Sequence, residues 1–204
     1  MKNDFVMKDE YIDSAFNSFK IESESILATG EAIDKEEFRK AVVALANADR
    51  IAAAGCGHSG IACRHFAHLM CCIDLPARFL SPAEAVHGGL GYLHEGDVLV
   101  IVSRGGKTDE LMPIVDVAKT KGATVICVTE KLESPLALLS DIKLKMAISR
   151  ECDKYNCQGT TSFAVTNAIF DALQCALLDY TEYKNETFAL IHPGGAVGKR
   201  LNNK

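Results

Sequence analysis

Residues 98–110 read VLVIVSRGGKTDE: five aliphatic residues in a row, then a glycine-rich polar loop, then two acids. An unbroken aliphatic run of this length is a strand covered on both faces. Asp109 and Glu110 are the acids that open a helix. Strand, loop and helix in that order form the unit of a parallel α/β sheet. Working outward, apolar runs recur at residues 51–54 and 125–128, and weaker ones stand at 78–80 and 142–148. Helical segments of about 10–15 residues separate them. The predicted architecture is therefore α/β, a doubly wound five-stranded parallel sheet flanked by helices.

Two further helices are predicted ahead of that core. Over residues 9–28, Ile12, Ala15, Phe16 and Phe19 fall at helical spacing, and over 35–46 so do Phe38, Ala41, Val42 and Leu45. Asp34 and Glu37 make a capping-box-like start to the second. Ser81-Pro82-Ala83-Glu84 and Ser134-Pro135 mark other helix starts. Residues 161–179 read as a long helix with Val165, Ile169, Leu173, Ala176 and Leu177 inward. With no repeat, low-complexity tract or linker-like stretch, the economical reading is one domain over 1–204, with N-terminal helices over 1–47 and an α/β core over 48–204.

Composition narrows the function classes. At 204 residues the chain can bury one good core and is tight for two. No apolar run is expected to span a bilayer, and the acidic start MKNDFVMKDEYIDSAF is unlike a signal peptide. The eight cysteines show no CxxC and no framework spacing, as reduced structural thiols of a cytoplasmic protein would. A formal charge of −5 argues against general nucleic-acid binding. His65 and His68, with Cys63, Cys71 and Cys72 nearby, lack a second matched pair, so no metal site is expected.

In such sheets ligands bind beyond the carboxyl ends of the strands, so the loops after strands matter most. The first loop, Gly55-Cys56-Gly57-His58-Ser59-Gly60, formally matches GxGxxG. The acid nearest the required distance, Asp74, precedes its strand instead of ending it, which argues against a dinucleotide cofactor. The second loop offers hydroxyls from Ser103 and Thr108, open backbone at Gly105 and Gly106, and charge from Arg104 and Lys107 ahead of a helix N-terminus. That is an anion site, and phosphate is the favoured occupant. The third segment, Thr160-Thr161-Ser162, places three hydroxyls at the start of the long helix. Near the end, His192-Pro193-Gly194-Gly195 fixes a tight turn that presents an imidazole; a plain surface turn fits the same residues.

The motifs SPAEAVHGGLG (81–91) and HPGGAVGKRL (192–201), with GCGHSG, SRGGKT and the Thr160–Ser162 run in order, resemble the SIS (sugar isomerase) family and within it the arabinose 5-phosphate isomerases. The resemblance covers residues 35–204. It implies aldose–ketose isomerisation of a phosphorylated sugar through an enediol, with no cofactor, in a homo-oligomer (dimer or tetramer) whose sites are shared between subunits. By match to the family's motifs, the acid–base candidates are His87, Glu110, Glu151 and His192. Gly57, His58, Ser59, Ser103, Arg104, Gly105, Lys107, Thr108, Thr160, Thr161 and Ser162 are the substrate-binding candidates.

The chain departs from the family pattern at several points. His58 stands where a lysine is usual, Arg104, Gly105, Lys107 and Thr108 replace four positions of a loop that usually reads SNSGES, and Phe163 interrupts the usual Ser/Thr run. These departures leave two alternatives open: a non-catalytic phosphosugar sensor, which His58 favours, and an enzyme like the 3-hexulose 6-phosphate isomerases.

Overall fold

A computed structural model describes residues 6–202. Among them, five strands form an all-parallel sheet: β1 (Ile51–Gly55), β2 (Ala77–Phe79), β3 (Val98–Val102), β4 (Thr124–Thr129) and β5 (Ile142–Lys145). Their order is β2-β1-β3-β4-β5, so β1 pairs with β2 on one side and β3 on the other. Chain direction across the sheet reverses between β1 and β3, which opens a crevice above their carboxyl ends.

The helices are α1 (Asp9–Ala32), α2 (Lys35–Ala46), α3 (Gly57–Cys71), α4 (Pro82–Ala85), α5 (Met112–Thr120), α6 (Pro135–Leu139), α7 (Thr161–Tyr180), α8 (Asn185–Ile191) and α9 (Gly195–Asn202). Alternation along the strands splits the core in two. Ala53, Val100, Val102, Ile126, Val128 and Leu144 face a layer built by α2, α3 and α7, where the rings of Phe66 and Phe170 pack with centroids 4.4 Å apart. Ala52, Ala54, Leu99, Ile101, Val125 and Cys127 face Leu111, Ile114, Val115 and Ala118 on the α5 side. Burial of this kind on both faces is why the strands read as continuous aliphatic runs.

Strand β1 differs from its neighbours in carrying three fully buried alanines, Ala52, Ala53 and Ala54. Helix α3 comes down close upon it: a Cβ placed on Gly60 would lie 2.6 Å from the Gly55 carbonyl oxygen. Only glycine permits that approach.

Several expectations are corrected here. Ile12, Phe16 and Phe19 are exposed on the first half of α1, with Ala15 beside them, and the helix packs through Ile21, Ser25 and Thr29 in its second half. Periodicity reports an apolar face without saying what covers it. The capping box at Asp34 is one-sided. Asp34 accepts hydrogen bonds from the Glu36 and Glu37 amides at 2.8 and 3.0 Å, whereas the Glu37 carboxylate accepts from the Lys143 amide in β5 at 2.9 Å. Ser81 and Ser134 make no capping hydrogen bond, though each precedes a helix with proline in its first turn. β5 ends at Lys145, three residues short of the predicted stretch. Lastly, α7 is long and apolar enough to cross a membrane by length and composition. Here it is the core helix, with Val165, Ile169, Phe170, Leu173 and Leu177 buried against the sheet layer. The first residues of the acidic N-terminal stretch lie outside the described residues.

Candidate functional site

The three loops singled out from the sequence converge above the crevice. The first leaves β1 at Gly55 and enters α3, the second leaves β3 at Val102, and the third leaves β5 and enters α7. His58 is exposed in the first turn of α3. Its ring meets Phe163 edge-on with centroids 6.2 Å apart, and a Cβ on Gly159 would stand 3.0 Å from its Nδ1. The first and third loops thus touch through His58.

The second and third loops are joined by charge. Arg104 donates from Nη1 to Glu151 Oε1 at 2.6 Å and from Nε to Glu130 Oε2 at 2.9 Å. Glu151 is 2% exposed, and its other oxygen accepts from the Ser162 amide at 3.1 Å and the Thr160 hydroxyl at 3.2 Å. Burial pushes the Glu130 carboxyl up, but hydrogen bonds from Lys131 and Arg104 outweigh it and hold the group below its ordinary value. Glu130 went unremarked in the sequence. The signal that could have found it was its place directly after β4, at the carboxyl edge where the other site loops arise.

Within the second loop, Ser103 is buried and its Oγ lies 2.8 Å from Thr108 Oγ1 while accepting from the Gly106 amide at 3.0 Å. Gly106 has φ +63 and packs on Ser134, so a side chain there has neither conformation nor room. The loop is held in a curl by these bonds, with Gly105 and Lys107 exposed on its outer side.

Glu110 is exposed and lines a cavity of about 540 Å³ with Gly55, Cys56, Gly57, Arg64 and Phe79. The Arg64 guanidinium lies 4.0 Å from the centroid of Phe79. Burial, and then the Glu110 charge, raise the Cys56 thiol above its ordinary value.

A family model described as SIS domain matches residues 44–176. The chain belongs to the SIS domain family. The arabinose 5-phosphate isomerase KdsD of Pseudomonas aeruginosa is 32% identical over 94% of this chain and 59% of its own length, so the chain spans under two thirds of that relative. A Listeria monocytogenes protein described as a candidate sugar-phosphate isomerase superposes with a TM-score of 0.90 at 38% identity, over 93% of this chain and all of its own. An Escherichia coli CFT073 protein in complex with arabinose 5-phosphate superposes with a TM-score of 0.86 at 25% identity, over 92% of this chain and all of its own.

Not every candidate residue of this SIS chain meets the others. Gly57, His58, Ser103, Arg104, Gly105, Lys107, Thr108, Glu110, Glu151, Thr160 and Ser162 lie on the converging loops. Ser59 is half-buried in the first turn of α3. Thr161 is fully buried, its hydroxyl 3.3 Å from Cys152 Sγ, and is a packing residue. His87 is exposed in the turn after α4, one residue past the cavity-lining Val86. His192 lies elsewhere. It ends α8, stacks on Phe188 at 3.7 Å and comes after the far end of α7. There Tyr183 donates to the Cys72 carbonyl just ahead of β2, at the amino-terminal edge of the sheet. The 20-residue α7, about 30 Å long at 1.5 Å per residue, runs between the third loop and the segment that carries His192.

Proposed function

We propose that this chain is a cofactor-independent aldose–ketose isomerase acting on a phosphorylated sugar, with arabinose 5-phosphate and ribulose 5-phosphate as the pair to test first. The observation that carries this reading is that the cavity lined by Glu110 and the glycine-bearing loop with Lys107 both stand at the carboxyl edge of the sheet, beside its switch point. The relatives' names supply the substrate class. As a unit, the reading takes residues 1–204 as one SIS domain with two helices ahead of the α/β core.

The chemistry needs a base that moves one proton between neighbouring carbons and an acid that serves the carbonyl oxygen. Glu110, at the cavity wall, takes the proton from C2 of the open-chain aldose while an imidazole protonates O1. The cis-enediol that results loses its O2 proton and regains a proton at C1. Atoms balance without any co-reactant. His87, one residue past the cavity-lining Val86, is the imidazole assigned to that step in the same chain, and Glu151 holds the third loop in register. His192 enters the crevice of a neighbouring subunit, which makes the working protein a homo-oligomer, dimer or tetramer. The open apolar half of α1 is a surface such an assembly can use. Eight free cysteines fit a reducing, cytoplasmic setting.

Incubation with arabinose 5-phosphate in heavy water tests the proposal. Ribulose 5-phosphate and deuterium at C2 of the recovered aldose, both lost in Glu110→Gln, are the expected result. A second reading is a phosphosugar sensor, favoured by the commitment of Glu151 to Arg104 and by His58 packed against Gly159. Tight sugar-phosphate binding with neither turnover nor exchange would replace the isomerase with that sensor.

A further inference from the structure

The second loop carries two cations, Arg104 and Lys107, and their surroundings are opposite. The Arg104 guanidinium is shared between Glu130 and Glu151, and its backbone carbonyl accepts from the Glu130 amide and the Thr129 hydroxyl, both at 3.0 Å. Side chain and main chain together tie the β3 loop to the end of β4 and to the loop that follows β5. Lys131 also pairs with Glu130 at 2.9 Å, so two carboxylates meet two cations and the cluster leaves no net positive charge for a phosphate dianion. Lys107 stands three residues on, exposed, with no acidic partner among the described residues. Gly105 and Lys107 also keep backbone amides that donate to no acceptor among the described residues, on the outer side of the same curl.

We propose that Arg104 is a positioning residue and not a phosphate ligand: it clamps the β3 loop to Glu130 and Glu151, and the substrate phosphate is read by Lys107 with the outward amides of its loop. This rests on the phosphosugar reading above and deepens it by dividing the loop's two charges between structure and recognition. Glu130 belongs to the clamp. Glu151, with both oxygens already occupied by Arg104, Ser162 and Thr160, is its buried anchor.

Removing Arg104 alone strands a buried carboxylate, which destabilises strongly. The informative variant is therefore the pair Arg104→Gln with Glu151→Gln, compared with Lys107→Ala and Arg104→Lys. Phosphate affinity is measured by calorimetry with inorganic phosphate, which requires no turnover, and kcat and KM are measured with arabinose 5-phosphate. Lys107→Ala is expected to weaken phosphate about tenfold and raise KM in parallel, the size of one charge-assisted hydrogen bond lost. The double variant is expected to bind phosphate within about twofold of the parent while kcat falls about tenfold or more, since misplaced loops cost rate before affinity. Arg104→Lys, which can keep one of the two carboxylates, is expected to recover part of kcat.

If the double variant loses as much phosphate affinity as Lys107→Ala, Arg104 is itself a ligand and the proposal is overturned. It is equally overturned if Lys107→Ala binds phosphate as tightly as the parent. A parent chain that binds phosphate but converts no sugar phosphate sinks the isomerase reading alone, and calorimetry still decides between Lys107 and Arg104.

Discussion

Gly60→Ala sets two effects of opposite sign against each other. Gly60 lies inside α3, where replacing glycine by alanine ordinarily stabilises a helix by about 1 kcal/mol. Here the new Cβ would stand 2.6 Å from the Gly55 carbonyl oxygen and 3.3 Å from its carbon. Both are backbone atoms of a buried central strand, so no rotamer change relieves the contact, and α3 must lift or tilt. Overpacking of this kind costs about 1–3 kcal/mol, and a backbone obstacle puts the case at the upper end. The net expectation is destabilisation by about 1–2 kcal/mol. For a chain of this length that is a fall in Tm of about 2–8 °C.

Gly30→Ala is the control. It lies in α1, with nothing within 4 Å of the added Cβ, and is expected to gain up to about 1 kcal/mol. Urea unfolding with both variants and the parent gives ΔΔG from the midpoint at constant slope. If Gly60→Ala proves as stable as the parent, or gains as Gly30→Ala does, the close approach of α3 to β1 is not a constraint. The argument that glycine is required there would then be refuted.

Other parts of the molecule carry expectations of their own. Phe170→Ala removes a fully buried ring packed on Phe66 and is expected to cost about 3–5 kcal/mol by chemical denaturation. Alkylation at pH 8 with mass-spectrometric mapping should modify exposed Cys71, Cys157 and Cys175 in the native chain. Cys63 and Cys127 should react only after unfolding, the Cys127 thiol being pushed up to about 12 by burial. Glu130 has a folded pKa below its ordinary value, so its contribution to stability is present above about pH 4.5 and is lost as pH falls through the folded value. Glu130→Gln should flatten the acid limb of a Tm–pH curve relative to the parent. Mixing the inactive variants Glu110→Gln and His192→Ala under subunit exchange should restore activity, up to about a quarter in a randomly mixed dimer with one intact site. Recovery of none would place His192 outside the shared site.

The sheet was the most legible feature, because full burial on both faces leaves unbroken aliphatic runs such as VLVIV at 98–102. The site loops were legible for a related reason: parallel strands put every functional loop at one edge, so the residues just past each strand are the ones to read. Two kinds of information were not local. The fate of Phe16 and Phe19 depends on what packs against α1, and a single helix's periodicity holds no record of it. The roles of Arg104 and Glu130 depend on residues 26 apart in the chain meeting across the ends of β3 and β4. Composition suggests a doubly charged phosphate loop; the fold spends one of those charges on its own carboxylates. The separation of His192 from the crevice was likewise invisible until α7 supplied a length and a direction.

The alanine strand has a consequence for how this protein tolerates change. In β3 and β4 the aliphatic side chains act as spacers, and one can be exchanged for another with small local adjustment. Past Ile51, the spacers of β1 are the single methyl groups of Ala52, Ala53 and Ala54, so the thickness of the domain there is set by backbone and Cβ atoms alone. Any enlargement of Ala53 would jack α3 outward and carry the rim of the crevice with it, parting His58 from Gly159. A deep mutational scan should then show an inverted pattern, with the smallest side chains of the core as its least replaceable ones. Sequence drift in this protein would be channelled through β3 and β4, while the narrow β1 stays fixed by geometry.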